Sequence, residues 1–218
     1  MKKIKGAIFD MDGTLLNSMD YWATVAEEFL VKNNLLSKVG DNRRFLEWGM
    51  KEFYSYAVKE LGLTLTYEET HKQMYDIMEY YYENDIGIKN GVKNMLDTFL
   101  ENGVKMCLAT ATDRFVVDKI LKRLRLDKYF SKIFTVKEVG VGKSQPVIYE
   151  KALEFLGTTK NDTYVFEDAY YAIKTAHDAG FLVAGVEDKN VFVPQDEILP
   201  LCNLFLSEKT GYDISSII

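Results

Sequence analysis

The sequence predicts an α/β protein, a doubly wound parallel sheet carrying an inserted all-α unit. Three observations lead there. A short apolar run, Ile4 to Phe9, ends abruptly at Asp10. From Tyr21 to about Tyr82, apolar residues recur only at helical spacing and no proline occurs. After Gly91, strand-like and helical segments alternate, the pattern of strand–helix units that place helices on both faces of a parallel sheet.

The run Ile4 to Phe9 is rich in β-formers and reads as a buried strand. In the helical stretch, Trp22, Val25, Ala26, Phe29 and Leu30 follow the helix period. Breaks near Gly40-Asp41 and Gly62-Leu63-Thr64 divide it into three or four helices. Beyond Gly91 a helix from Val92 to Glu101 stops at Asn102-Gly103, a helix-ending pair. Strand Val104 to Ala109, helix Asp113 to Leu124 and strand Ile133 to Val136 follow. Helix Pro146 to Phe155, strand Thr163 to Phe166, helix Ala169 to Ala179 and strand Leu182 to Val186 complete the expected order. The expected division is a core of residues 1–16 and 86–218 and a helical cap of residues 17–85. Such a cap would close over a small substrate and exclude water.

Composition narrows the function classes. The chain has 218 residues, 47% hydrophobic and 28% charged, enough for a packed core. Its net charge is −6, from 27 basic and 33 acidic residues, which disfavours nucleic-acid and anionic-membrane partners. Asp10 and Asp12 interrupt the first apolar run too early for a signal peptide. No run reaches membrane-spanning length. Cys107 and Cys202 lack metal or redox spacing, and Cys107 reads as a small buried hydrophobe. A reduced, cytoplasmic location is expected; the oligomeric state is not readable.

Ligands of such sheets bind outside the carboxyl ends of the strands. The residues expected there are Asp10 and Asp12, Thr110, Lys143 in a loop after the third strand, and Glu167 with Asp168. Carboxylates suit a hard cation such as magnesium, while Lys and Thr suit phosphate oxygens. A carboxylate can attack phosphorus, and a second carboxyl two residues on can protonate the leaving oxygen and then activate water. Gly13 lets the backbone approach a phosphate. Each piece has a plainer reading. Asp10-Met11-Asp12-Gly13 can be a polar turn, Thr110 a cap for a helix starting near Thr112, Lys143 a surface lysine, and Glu167-Asp168 acids at a helix start. Their conjunction at four strand ends is what points to phosphate chemistry.

Phe9-Asp10-Met11-Asp12-Gly13-Thr14-Leu15 resembles the first motif of the haloacid dehalogenase superfamily. Ala109-Thr110-Ala111-Thr112 resembles its second, Gly142-Lys143 its third and Val165-Phe166-Glu167-Asp168-Ala169 its fourth. Order and spacing match over nearly the whole chain, and the cap position resembles the phosphoglycolate phosphatase and β-phosphoglucomutase branch. The resemblance implies a Rossmann-like core and a magnesium-dependent phosphatase acting on a small phosphorylated metabolite. It implies Asp10 as nucleophile and metal ligand, and Asp12 as acid/base with a metal-binding backbone carbonyl. Asp12, Gly13, Thr110, Ala111 and Lys143 would hold the phosphate, and Glu167 and Asp168 would complete the metal shell. The chain departs from the family pattern at Ser144 and Val147, where Pro and Asp are common. It departs again at Ala169 and Ala172, where Ser and Gly are common, and at Asn17, where Asp is usual.

Rival readings follow from the same residues. A β-phosphoglucomutase-type mutase shares all four motifs, but its cap histidine and tryptophan align with Trp22 and Ala26 here. A non-catalytic binding protein would not need the full acid set. Gly140-Val141-Gly142-Lys143-Ser144 resembles the end of a P-loop, but Lys137 stands where that loop needs its first glycine. His71 and His177 read as solvated or capping groups, and Glu79 to Glu83 as cap-core packing with one exposed ring. Arg43 and Arg44 are candidates for reaching an anionic substrate, or a solvated helix face.

Overall fold

The computed structural model describes residues 3–39, 45, 48, 50–191 and 193–218, without the side chain of Thr210. The chain divides into two compact units, Met1–Asn17 with Gly87–Ile218, and Ser18–Ile86.

The first unit holds six parallel strands: β1 Gly6–Phe9, β2 Lys105–Thr110, β3 Lys132–Thr135, β4 Thr163–Glu167, β5 Leu182–Val186 and β6 Leu204–Leu206. Their spatial order is β3-β2-β1-β4-β5-β6. The chain leaves β1 toward β2 and β3, then returns to the other side of β1 for β4. The end of β1, where Asp10 follows, is therefore the topological switch point.

Both central strands are buried throughout, as a sheet covered on two faces requires. Alternation along them sorts the core. Ile8 and Val165 pack with Ile148, Tyr149 and Ile173. Phe9 and Phe166 instead stack at 4.4 Å, with the Phe99 ring against both. Cys107 is fully buried beside Ile8, and burial pushes its thiol up to about 12. Both cysteines are free.

In the second unit lie α1 Met19–Lys32, α2 Met50–Leu61 and α3 Tyr67–Asn84. They bury Val25, Ala26, Phe29 and Leu30 from α1, Phe53 and Ala57 from α2, and Met74, Met78 and Tyr82 from α3. The Thr66–Glu69 capping box starts α3. Tyr82 is 2% exposed and Tyr80 is 61% exposed, so that run does supply core and one exposed ring. His71 stacks on Tyr75, and His177 lies exposed beside Asp178. The break expected near Gly40-Asp41, and Arg43 and Arg44, lie outside the described residues. Among the described residues, no helix is long and apolar enough to cross a membrane.

The remaining helices cover the sheet: α4 Val92–Glu101, α5 Arg114–Leu124, α6 Val136–Val139, α7 Val147–Leu156, α8 Tyr170–Asp178 and α9 Gln195–Ile198. Two elements differ from expectation. Val136 begins α6 rather than ending β3, because the Thr135 hydroxyl accepts from the Glu138 N–H while the Glu138 carboxylate accepts from the Thr135 N–H. Strand β6 was not expected at all.

Candidate active site

The expected groups meet at the carboxyl edge of the sheet. Asp10 follows β1, its N–H donating to the Phe166 carbonyl at 3.0 Å. Carboxylate oxygens of Asp10, Glu167 and Asp168 lie within 4.8 Å of one another, and all three residues are buried. Lys143, also buried, donates to both Asp10 Oδ1 and Glu167 Oε1, the latter at 2.6 Å.

Hydroxyl groups fix these carboxylates. Thr14 Oγ1 donates to Asp168 Oδ1 at 2.8 Å, and the Tyr149 hydroxyl to Glu167 Oε1 at 2.7 Å. Asp12 is half-buried, and its Oδ2 accepts from Thr112 Oγ1 at 2.6 Å. Thr110, buried at the end of β2, is not a helix cap, because α5 starts later with Asp113 at its N-cap. Its Oγ1 instead accepts from the Thr112 N–H at 3.1 Å, which leaves the hydroxyl proton to donate elsewhere. Gly13 takes φ +82°, which favours glycine, and its N–H donates to the Leu16 carbonyl. Ala111 is exposed beyond β2.

The sequence marks Thr112 only as the end of the Ala109–Thr112 run and a nearby helix start, and it marks neither Tyr149 nor a buried ion pair nearby. Lys89 Nζ lies 2.8 Å from Asp188 Oδ2 and donates to the Glu187 carbonyl at 2.8 Å. A tyrosine in the apolar stripe Ile148, Tyr149, Ala152, Leu156 was the available signal, since a buried phenol must find a partner.

Electrostatics show what the cluster lacks. Burial raises the Asp10 carboxyl well above the usual range, and Glu167, Asp168 and Asp12 push the same way against Lys143. Asp168 is pushed up to about 7 by burial, then by Glu167 and Asp188, with Lys89 and Thr14 opposing. Burial pulls the Lys143 ammonium down, but Asp10 and Glu167 outweigh it and hold the charge in place. One ammonium faces three buried carboxylates, so full ionisation leaves two negative charges unmatched. A buried all-oxygen set with that deficit fits a hard divalent cation.

Fold and site together define a hydrolase class built on a doubly wound sheet, with acids and a lysine converging at its switch point. The chain belongs to the haloacid dehalogenase-like hydrolase family, which matches residues 7–186. It is 25% identical over 177 residues to the phosphorylated carbohydrates phosphatase of Thermotoga maritima, covering 81% of this chain and 82% of that protein. It is 26% identical over 195 residues to the pyrophosphatase PpaX of Anoxybacillus flavithermus, covering 84% and 83%. Among solved structures, CbbY from Rhodobacter sphaeroides in complex with phosphate matches with TM-score 0.80 and 18% identity, over 97% of this chain and all of that one.

Proposed function

We propose that this protein is a magnesium-dependent phosphatase for a small phosphorylated metabolite. The observation that carries the reading is the buried set Asp10, Glu167 and Asp168 with Lys143 bridging two of them. The phosphatase and pyrophosphatase names of the two relatives support the reaction class. Asp10 attacks phosphorus and becomes an aspartyl-phosphate. Asp12 protonates the leaving oxygen, then takes a proton from the water that releases phosphate. Thr110, Lys143 and the backbone around Gly13 and Ala111 hold the phosphoryl oxygens. Asp10, Glu167, Asp168 and the Asp12 backbone carbonyl would hold magnesium. When bound, the ion supplies positive charge where the phosphoryl oxygens gather.

Two rivals are weaker. A non-catalytic protein has no use for three mutually close buried carboxylates, whose desolvation costs several kcal/mol per ion. A mutase reading has less support in the helical unit. Ala26 is buried in its packing, and the Trp22 ring packs edge-on to Tyr75. Phosphorus NMR separates the two on one sample. Phosphate monoesters are expected to release inorganic phosphate without a bisphosphate activator, and β-glucose 1-phosphate is not expected to yield glucose 6-phosphate. Isomer appearing faster than free phosphate would overturn the phosphatase reading.

Metal dependence has a pH signature. The Asp168 carboxyl is raised in the folded state, up to about 7, against about 3.9 in an unfolded chain. Between those values the folded protein binds more protons than the unfolded one, so metal-free stability falls as pH rises. EDTA is expected to abolish turnover, and added magnesium to raise the melting temperature more at pH 8 than at pH 5. Asp168→Asn should shrink that rise. Full activity in metal-free buffer, or an equal magnesium effect at both pH values, would contradict this.

A further inference from the structure

We propose that Thr112 is a positioning residue for the acid/base carboxyl of Asp12, an inference resting on the phosphatase reading above. Thr112 is 3% exposed and lies between β2 and α5. Its hydroxyl donates to Asp12 Oδ2 at 2.6 Å, bridging 100 residues of sequence. A threonine hydroxyl has one proton to donate, and here it goes to Asp12. The helix start does not compete for it, because Asp113 is the N-cap of α5. The β-branched side chain is stiff at χ1, so it holds its partner in a defined place. The Thr112 N–H meanwhile donates to Thr110 Oγ1 at 3.1 Å. One residue thus orients the acid/base carboxyl and the phosphate-binding hydroxyl together.

The two half-reactions use Asp12 differently. In the first, a bond forms from Asp10 to phosphorus, the bond from phosphorus to the leaving oxygen breaks, and the Asp12 proton passes to that oxygen. In the second, a water oxygen bonds to phosphorus, Asp12 takes a water proton, and the bond to Asp10 breaks. Nitrophenolate leaves without a proton, so p-nitrophenyl phosphate makes only the second half-reaction depend on how Asp12 is held.

The test is rapid mixing of the whole protein with p-nitrophenyl phosphate and magnesium. Thr112→Val, of matched shape, is expected to give a nitrophenolate burst close to one per site. Its steady state should be slowed about 10- to 100-fold, part of the 10²–10⁴ that acid–base catalysis supplies. Because kcat/KM is set by the first half-reaction, it should change little, so KM falls together with kcat, and Thr112→Ser should recover most of the rate. A merely structural role would shrink the burst amplitude or slow both phases together, and that result overturns the proposal. So does an unchanged or faster steady state in Thr112→Val. Should Val not be tolerated, Thr112→Ala is read by the same two phases. Wild-type protein that releases no phosphate would sink the phosphatase reading itself, whereas a wild type that turns over beside an unaffected Thr112→Val sinks only this inference.

Discussion

Asp10→Asn is expected to lower phosphate release by about 10⁴-fold or more, because it removes the attacking oxygen while keeping shape and volume. Folding should survive. Asp10 is a buried carboxyl whose ionisation burial and three neighbouring acids oppose, and the neutral amide relieves that repulsion. Lys143 keeps its contact to Glu167 at 2.6 Å. The melting temperature of the variant should therefore equal or exceed that of the wild type above pH 7. In wild-type protein quenched during turnover, mass spectrometry should find one phosphoryl group on the peptide containing Asp10, and none in Asp10→Asn. A folded variant that keeps substantial turnover would remove Asp10 from its proposed role.

The acids were legible because a parallel sheet collects its ligand groups at one edge. Once Ile4 to Phe9 and Thr163 to Phe166 read as parallel strands, Asp10 and Glu167 had to fall at the same edge of the sheet; that the two strands are neighbours, β1 pairing with β4, comes from the structure. Thr112 and Tyr149 were hidden because their role lies in contacts across 100 and 18 residues, respectively. Local letters describe Thr112 equally well as a residue before a helix, and Tyr149 as part of an apolar stripe. Lys89 and Asp188 are separated by almost half the chain and share no motif.

The fold shows the same division. Long periodic segments such as Val92–Glu101 were read to the residue, since ten residues of amphipathic pattern leave little choice. Strand β6 has three residues, two of them half-buried, too short for alternation to register. The start of α6 was readable in principle: Thr135 and Glu138 spell a capping box, but three apolar residues in Ile133 to Val136 favoured a strand. Among the helices of the second unit, α3 carries its own start signal in Thr66 and Glu69.

Lys143→Met tests the charge balance rather than the nucleophile. Lys143 is the ammonium that reaches both Asp10 and Glu167. Without it, burial first, then the charges of Glu167, Asp168 and Asp12, raise the Asp10 carboxyl with no ammonium beside it to oppose them. Asp10 then retains its proton to higher pH, and a protonated carboxyl is not a nucleophile. Removing one preorganised donor from a site of developing charge costs about 10²–10³ in rate, and the neutralised nucleophile adds to it. Turnover near pH 7 should therefore fall by at least about 10³-fold, with some return at more alkaline pH. Stability should move oppositely. Breaking a buried pair costs about 3–5 kcal/mol while the carboxylates remain ionised. With Asp10 raised further, the folded state binds extra protons over a wider range, so this loss is largest at alkaline pH and shrinks as pH falls. Urea unfolding at pH 5 and pH 8 reads this directly. A variant equally destabilised at both pH values, or one retaining most turnover at pH 7, would show that Lys143 does not balance the Asp10 carboxylate.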